Sequence, residues 1–304
     1  MRRAGGLALS AMLVLSACGS RRAPAEAALD WQSADGLPCR YFVVTAAATG
    51  GFASAGDVGR RNPEKSYGHG YGVAIVEERG EGAARVGRAR SGLWLNMKDL
   101  APAPGSAFAG VALRAGSSLP CWTREAGRQG ALLGQEAEER RRSHDEDCAS
   151  RMPRPSSVSP TERWIDVSLR SQTLVAYEGD RPVFATLIST GIGREGSPLA
   201  TPRGTFRVGA KQATATMDNL EHDGVDRYYS MEDVPWVQWF APGKALHGTY
   251  WHDGFGRPRS HGCINLSPLD ARWLFEFTSP HLRAGRPEAV AKGDAGTVVR
   301  VRVW

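Results

Sequence analysis

His247-Gly248-Thr249-Tyr250-Trp251-His252-Asp253-Gly254-Phe255-Gly256-Arg257-Pro258-Arg259-Ser260-His261-Gly262-Cys263-Ile264-Asn265 is the stretch around which the chain is organised. It holds a single cysteine, Cys263, with His261 two positions before it and His247 sixteen before it. A free thiol is only slightly ionised at neutral pH, so a cysteine nucleophile needs a base or a positive neighbour. Three imidazoles, His247, His252 and His261, stand within this one stretch. Gly262 lets the backbone adopt a positive φ or approach a ligand closely. Ala245-Leu246 ahead of His247 reads as the end of a strand, so a strand end and a glycine-flanked loop can bring imidazole and thiol together. A zinc site drawn from His247, His252, His261 and Cys263 is the competing reading, but it lacks a second thiol and a recognised ligand spacing. A buried, inert cysteine is the other, although Cys263 sits among Ser, His and Gly.

Ser260-His261-Gly262-Cys263-Ile264-Asn265, preceded at this distance by His247-Gly248-Thr249, resembles the catalytic signature of the L,D-transpeptidases, the YkuD domain family of bacterial cell walls. The resemblance implies Cys263 as nucleophile, His247 as base and His261 as a helper. It implies a backbone carbonyl, that of Gly248, as the group orienting the imidazole, and N–H groups around Gly262 and Cys263 as oxyanion donors. Ser260 and Asn265 would hold the loop. The implied reaction is acyl transfer on peptidoglycan stem peptides through a thioester. The acceptor would be another stem or a wall-anchored protein, and no metal or organic cofactor is implied. Two alternatives remain open: an L,D-carboxypeptidase or endopeptidase acting on the same peptides, and an inert wall-binding lipoprotein.

Upstream, Trp164 to Leu169 alternates, Gln172 to Tyr177 follows a short turn, and Val183 to Ser189 lies beyond Gly179-Asp180-Arg181-Pro182. With Thr201-Pro202-Arg203-Gly204 this order is similar to the start of the same family's domain, which extends the resemblance over residues 161–304. Residues 209–235 lack regular periodicity and are expected as a flap, from which Tyr228, Tyr229 and Trp236 could touch substrate. Downstream, Ser267-Pro268-Leu269-Asp270 carries the marks of a helix start, with Ser267 as cap, Pro268 at the first position and Asp270 as a capping-box acid. Leu269, Trp273 and Phe277 give that helix an apolar face. Val299, Val301 and Val303 alternate with arginines as a closing strand.

The 304 residues suit about two domains, and 41% hydrophobic with 23% charged residues is ordinary for a globular protein. A net charge of +6 is mild and gives no footprint for nucleic acid. Met1-Arg2-Arg3, the apolar run Leu7 to Leu15 and Leu15-Ser16-Ala17-Cys18 make residues 1–17 a signal peptide. The last four residues resemble a lipobox, which would lipidate Cys18. The expectation is an exported protein held in the periplasm or cell envelope by lipid alone, at the outer rather than the inner membrane of a Gram-negative cell. Cys39, Cys121 and Cys148 leave room for one disulfide, whose pair the sequence does not choose.

Residues 18–38 read as a tether. From 39 to 121 short β-like runs are broken by glycine, and Arg90 to Leu100 is similar to the end of bacterial SH3-like domains. That segment is expected as a small SH3-like β domain, with Trp94 packed inside it or lining a groove for wall peptide. Residues 122–160 read as a solvated charged helix over Ala131 to Arg142, then a Pro-rich linker. The expected fold is mainly β: a C-terminal L,D-transpeptidase-type β-sandwich with a short helix after the catalytic loop, plus the SH3-like domain.

Overall fold

A computed structural model describes residues 30, 33–125, 128–142, 148–220 and 228–303. The expected signal peptide and Cys18 lie outside them. The N-terminal segment contributes β1 (Arg40–Val44), β2 (Ala48–Gly51), β3 (Lys65–Gly68), β4 (Gly72–Arg79), β5 (Val86–Ala89), β6 (Trp94–Asn96), β7 (Leu100–Pro102) and β8 (Val111–Ala112). The middle stretch forms the hairpin β9 (Cys121–Glu125) and β10 (Arg128–Leu132), followed by α1 (Gly134–Arg142). The C-terminal part adds β11 (Arg163–Ser168), β12 (Thr173–Glu178), β13 (Arg181–Leu187), β14 (Gly204–Arg207), β15 (Ala210–Asp218), β16 (Ser230–Ala241), β17 (Lys244–Gly248) and β18 (Ile264–Leu266). It closes with α2 (Pro268–Phe277), β19 (Glu288–Val290) and β20 (Val298–Arg302). The described chain is mostly β.

One sheet has the order β14-β20-β11-β12-β13-β8 and both of its faces are covered. Ile165 and Val167 of β11 turn to the main core, with Leu174, Leu246, Ile264 and the α2 residues Leu274 and Phe275. Trp164 turns to a second core with Val175, Tyr177 and Leu187. Between these positions Asp166 is buried, and the carboxylate accepts from Arg300 and Arg302 of the neighbouring strand at 2.6 and 2.8 Å. A buried charge persists only when paired in this way.

The second core adds a packing role to residues 122–160, read from sequence as a solvated charged helix and a Pro-rich linker. Trp122, Ala149 and Val158 are buried in it against Trp164 and Tyr177, so this stretch is the cover of the sheet's outer face. The Cys121–Cys148 disulfide closes it into a loop. Cys39 is left as a partly buried thiol, and burial pushes its pKa up to about 11. The helix expected from Ala131 begins at Gly134, because residues up to Leu132 pair with β9 instead.

The other sheet runs β18-β17-β16-β4-β1-β7 and joins the two halves of the chain. Its N-terminal part has its own small core of Phe42, Val44, Tyr67, Val73, Ile75, Leu95 and Met97. Trp94 is buried beside it under the Arg79 guanidinium, so it lines no groove. Yet β4 meets β16 in parallel at Gly72 and Met231, and β8 extends the first sheet beside β13. Tyr250, in the central stretch, stacks on Tyr41 with ring centroids 4.1 Å apart. A Cβ at Gly72 would collide with the Tyr250 hydroxyl, so glycine there permits this close docking. Residues 39–121 therefore form a platform packed directly behind the 247–265 stretch.

The segment expected to lack regular structure holds the long antiparallel pair β15 and β16, from Ala210 opposite Trp239 to Asp218 opposite Ser230. Its alternation is hidden because Asp233 and Trp236 both take positive φ, at 52° and 61°, and the register shifts within the pair. Each such break moves the following side chains to the other face, which erases a period of two.

Candidate active site

The site is built on two adjacent parallel strands. Ala241-Pro242-Gly243-Lys244 forms the tight turn into β17, with Gly243 at φ 65° where a Pro-Gly turn requires it. β17 pairs in parallel with β18, setting Leu246 opposite Ile264 and His247 opposite Asn265. Cys263 directly precedes β18 and packs against the apolar cluster that contains Ala245. Paired residues in a sheet share a face and next-but-one residues return to it, so carrying the register back one residue from the Leu246–Ile264 pair puts Cys263 on the face of His247, two levels away.

His247 is 2% exposed. Its Nδ1 lies 3.0 Å from the Gly248 carbonyl oxygen. A carbonyl only accepts, so Nδ1 carries the proton and Nε2 keeps its lone pair. Burial lowers the imidazole pKa to about 4, against a smaller upward pull from that carbonyl. The group is a neutral base across the physiological range. Cys263 is partly exposed, and its thiol reaches toward the Gly243 carbonyl at 4.0 Å. Burial raises its pKa, while the Ala245 N–H and the Lys244 charge pull it down. At rest Cys263 is a thiol and His247 a neutral imidazole, with no hydrogen bond between them. Apo catalytic contacts commonly close only around substrate.

The turn before Cys263 is fastened from several sides. Ser260 Oγ donates to the Cys263 carbonyl at 2.5 Å and accepts from the Gly262 N–H at 3.1 Å. The Gly262 N–H, expected as an oxyanion donor, is therefore already engaged. Gly262 has φ 112°, and a Cβ there would lie 2.9 Å from the Ala200 carbonyl oxygen and collide with the Lys244 ammonium. Thr201 Oγ1 donates to the Gly262 carbonyl at 2.9 Å and accepts from the Gly191 N–H at 2.9 Å. Thr201 was quoted in the sequence only as part of a turn, and its bridge to a residue 61 positions away has no local signal.

His261 is exposed and stacks on Tyr229, ring centroids 4.8 Å apart and 11° from parallel. Burial and then the Lys244 charge lower its pKa. Tyr229 is pushed up to about 12, first by burial and next by the neighbouring Cys263. Tyr228 is 47% exposed on the same segment. Trp236 is elsewhere, and this corrects its candidacy as a substrate contact. It is fully buried, donates through Nε1 to the Gly36 carbonyl at 2.6 Å and packs against Phe275. Its positive φ turns the ring into the core.

Asn265 anchors the far side. Its backbone exchanges hydrogen bonds with Ser189, and its Nδ2 lies 3.0 Å from His252 Nε2. An amide nitrogen only donates, which places the His252 proton on Nδ1. Burial, with Arg259 and His247 nearby, lowers His252 to about 4. Ser267 Oγ caps α2 by accepting the Asp270 N–H at 3.2 Å, and Pro268 takes the first position. The Asp270 carboxylate does not reach back as a capping box would. It accepts from the Gly110 N–H at 2.8 Å and from Thr186 Oγ1, tying α2 to β13 and to the N-terminal segment. Among the described residues, no three His, Cys, Asp or Glu side chains stand together as a metal site would need.

Residues 162–301 match the YkuD family model, the L,D-transpeptidase catalytic domain. The Bacillus subtilis (strain 168) protein YciB, whose own name assigns it provisionally to the L,D-transpeptidases, is 27% identical over 131 residues, 40% of this chain and 63% of that protein. The chain thus spans less than two thirds of that relative's length. Among solved structures, an L,D-transpeptidase from Xylanimonas cellulosilytica is 22% identical, covering 57% of this chain and 72% of its own with a TM-score of 0.35. The catalytic domain of the E. faecium L,D-transpeptidase is 25% identical, covering 47% and 98% with a TM-score of 0.33.

Proposed function

We propose that the chain, whose residues 162–301 match the YkuD model of the L,D-transpeptidase catalytic domain, is a cysteine-dependent L,D-transpeptidase acting on peptidoglycan stem peptides. The observation that carries this reading is the parallel register of β17 and β18. Carried back one residue from the Leu246–Ile264 pair, that register supports Cys263 on the face of His247, whose Nδ1 lies against the Gly248 carbonyl so that Nε2 is left as a base.

The pair starts neutral, so attack and proton transfer are coupled. As Sγ bonds to the carbonyl carbon of the diamino acid, its proton passes to His247 Nε2. The tetrahedral oxyanion takes its hydrogen bond from the Cys263 N–H, since the Gly262 N–H is held by Ser260. Collapse breaks the C–N bond, and Nε2 returns the proton to the departing D-alanine amine. A thioester remains on Cys263. The amine of a second stem, or of a wall-anchored protein, then attacks it, loses its proton to Nε2 and restores the thiol. Tyr229, stacked on His261 at the rim, contacts the bound peptide with Tyr228.

The chain is exported and lipid-anchored through Cys18, consistent with a disulfide between Cys121 and Cys148. Among the described residues no helix is long and apolar enough to cross a membrane. The SH3-like segment serves as the platform behind the site. Incubating the protein with a disaccharide tetrapeptide, with and without an acceptor amine, tests the reading. The expected products are crosslinked dimers and released D-alanine, absent with Cys263→Ala. Tripeptide alone, formed equally with and without acceptor, would make the enzyme a carboxypeptidase.

A further inference from the structure

Lys244 opens β17 directly after the Pro242-Gly243 turn. Its ammonium donates to the Pro198 carbonyl at 2.6 Å and to the His261 carbonyl at 2.9 Å. One acceptor comes from the 191–201 loop and the other from the turn that carries the thiol. The same nitrogen fills the space where a Cβ of Gly262 would stand. Neither acceptor is charged, and no carboxylate pairs with Lys244 among the described residues, so the positive charge is not cancelled locally. An ammonium has three N–H donors, and two are used by these carbonyls.

We propose that Lys244 is a positioning residue of the site: its ammonium clamps the 191–201 loop to the His261–Cys263 turn and presents a fixed positive charge to the anion that forms at sulfur. This rests on the reading of Cys263 as the nucleophile. Of the other titratable groups around it, Tyr229 neighbours the thiol with Asp218 behind it, His261 stacks on Tyr229, and His247 lies on β17. Among these described groups none but Lys244 itself supplies a fixed positive charge near the thiol. It acts against burial, which disfavours the thiolate, and it also lowers His261.

The test follows alkylation of Cys263 by iodoacetamide from pH 5 to 10, located by peptide mass, in the full chain and in Lys244→Met and Lys244→Arg. Lys244→Met is expected to move the midpoint up by about one pH unit, so that labelling at pH 7 slows about tenfold, as loss of one close opposite charge does. Lys244→Arg should stay near wild type. In the unmodified protein, raising salt from 0.05 to 1 M should slow labelling by neutral iodoacetamide in the same direction, because a partly exposed ammonium is screened. An unchanged midpoint in Lys244→Met, or an equal shift in Lys244→Arg, would overturn the role. If Lys244→Met does not fold, labelling that is insensitive to salt does so. Alkylation reports the sulfur without turnover, so it is separable from the reaction. Crosslinking that survives Cys263→Ala would sink the nucleophile and leave the labelling result standing.

Discussion

Lowering the pH from 7 to 5 is expected to destabilise the fold through two buried imidazoles. His247 and His252 both sit at about 4 in the native state, against an ordinary 6.5. A folded pKa below the unfolded one means that the unfolded chain binds more protons, so stability is complete above pH 6.5 and is lost as pH falls toward 4. At pH 5 the unfolded groups are protonated over 1.5 units, which costs about 2 kcal/mol for each imidazole at about 1.4 kcal/mol per unit. Asp270 opposes this. Burial raises its carboxyl to about 6, and protonation between pH 6 and 5 returns about 1.4 kcal/mol. The imidazoles win, leaving a net loss of about 2 to 3 kcal/mol. Urea midpoints at pH 7, 6 and 5 at fixed ionic strength measure it, in wild type and in His252→Gln. The variant should lose about 2 kcal/mol less between pH 7 and 5. A wild type equally stable at both pH values, or a variant with an unchanged pH dependence, would refute the assignment of the two rings as buried and neutral.

Three further outcomes follow from the same contacts. Thr201→Val should lower kcat about tenfold and stability by about 1 to 3 kcal/mol, because it strips a hydrogen bond from the buried Gly262 carbonyl and leaves the Gly191 N–H without an acceptor; Thr201→Ser should restore most of both, read by turnover and thermal melting. Gly262→Ala should abolish thioester formation, since it forces a Cβ into the Lys244 ammonium at φ 112° while the cores distant from the turn keep the melting temperature within a few degrees. Cys148→Ser should cost about 3.5 kcal/mol, the chain-entropy value for a loop of 27 residues, measured by urea unfolding against the oxidised parent; an unchanged midpoint would mean that the cross-link constrains nothing.

Local chemistry was the legible part of this chain. Alternation over Trp164 to Leu169 marks β11 to within a residue, and Ser267-Pro268 marks the start of α2, because both signals depend on near neighbours. What escaped depends on distant partners. The parallel pairing of β17 with β18, the Gly72 to Met231 junction and the Asp270 to Gly110 bond join residues far apart in sequence, which no period of 2 or 3.6 encodes. Charged residues misled the reading of 122–160, where arginines and acids surround the few apolar side chains, Trp122, Ala149 and Val158, that form the contact. In the site, cysteine, histidine and glycine announce their chemistry by type. Thr201 and Lys244 do not, since a hydroxyl or a lysine becomes informative only when its partner is known. Trp236 shows the reverse error: an aromatic beside a flap is a natural substrate contact until its backbone φ turns it inward.

The central claim is that sulfur at 263 is acylated with the imidazole at 247 as its base. Intact mass of the protein, quenched at intervals after mixing with a tetrapeptide donor, tests it in one measurement. Wild type should gain the mass of the donor less D-alanine, borne on the Cys263 peptide, with an acid limb in the rate well below pH 6.5. His247→Gln should acylate about a hundredfold to ten-thousandfold more slowly. An adduct on another residue, or a His247→Gln rate equal to wild type, would contradict the account.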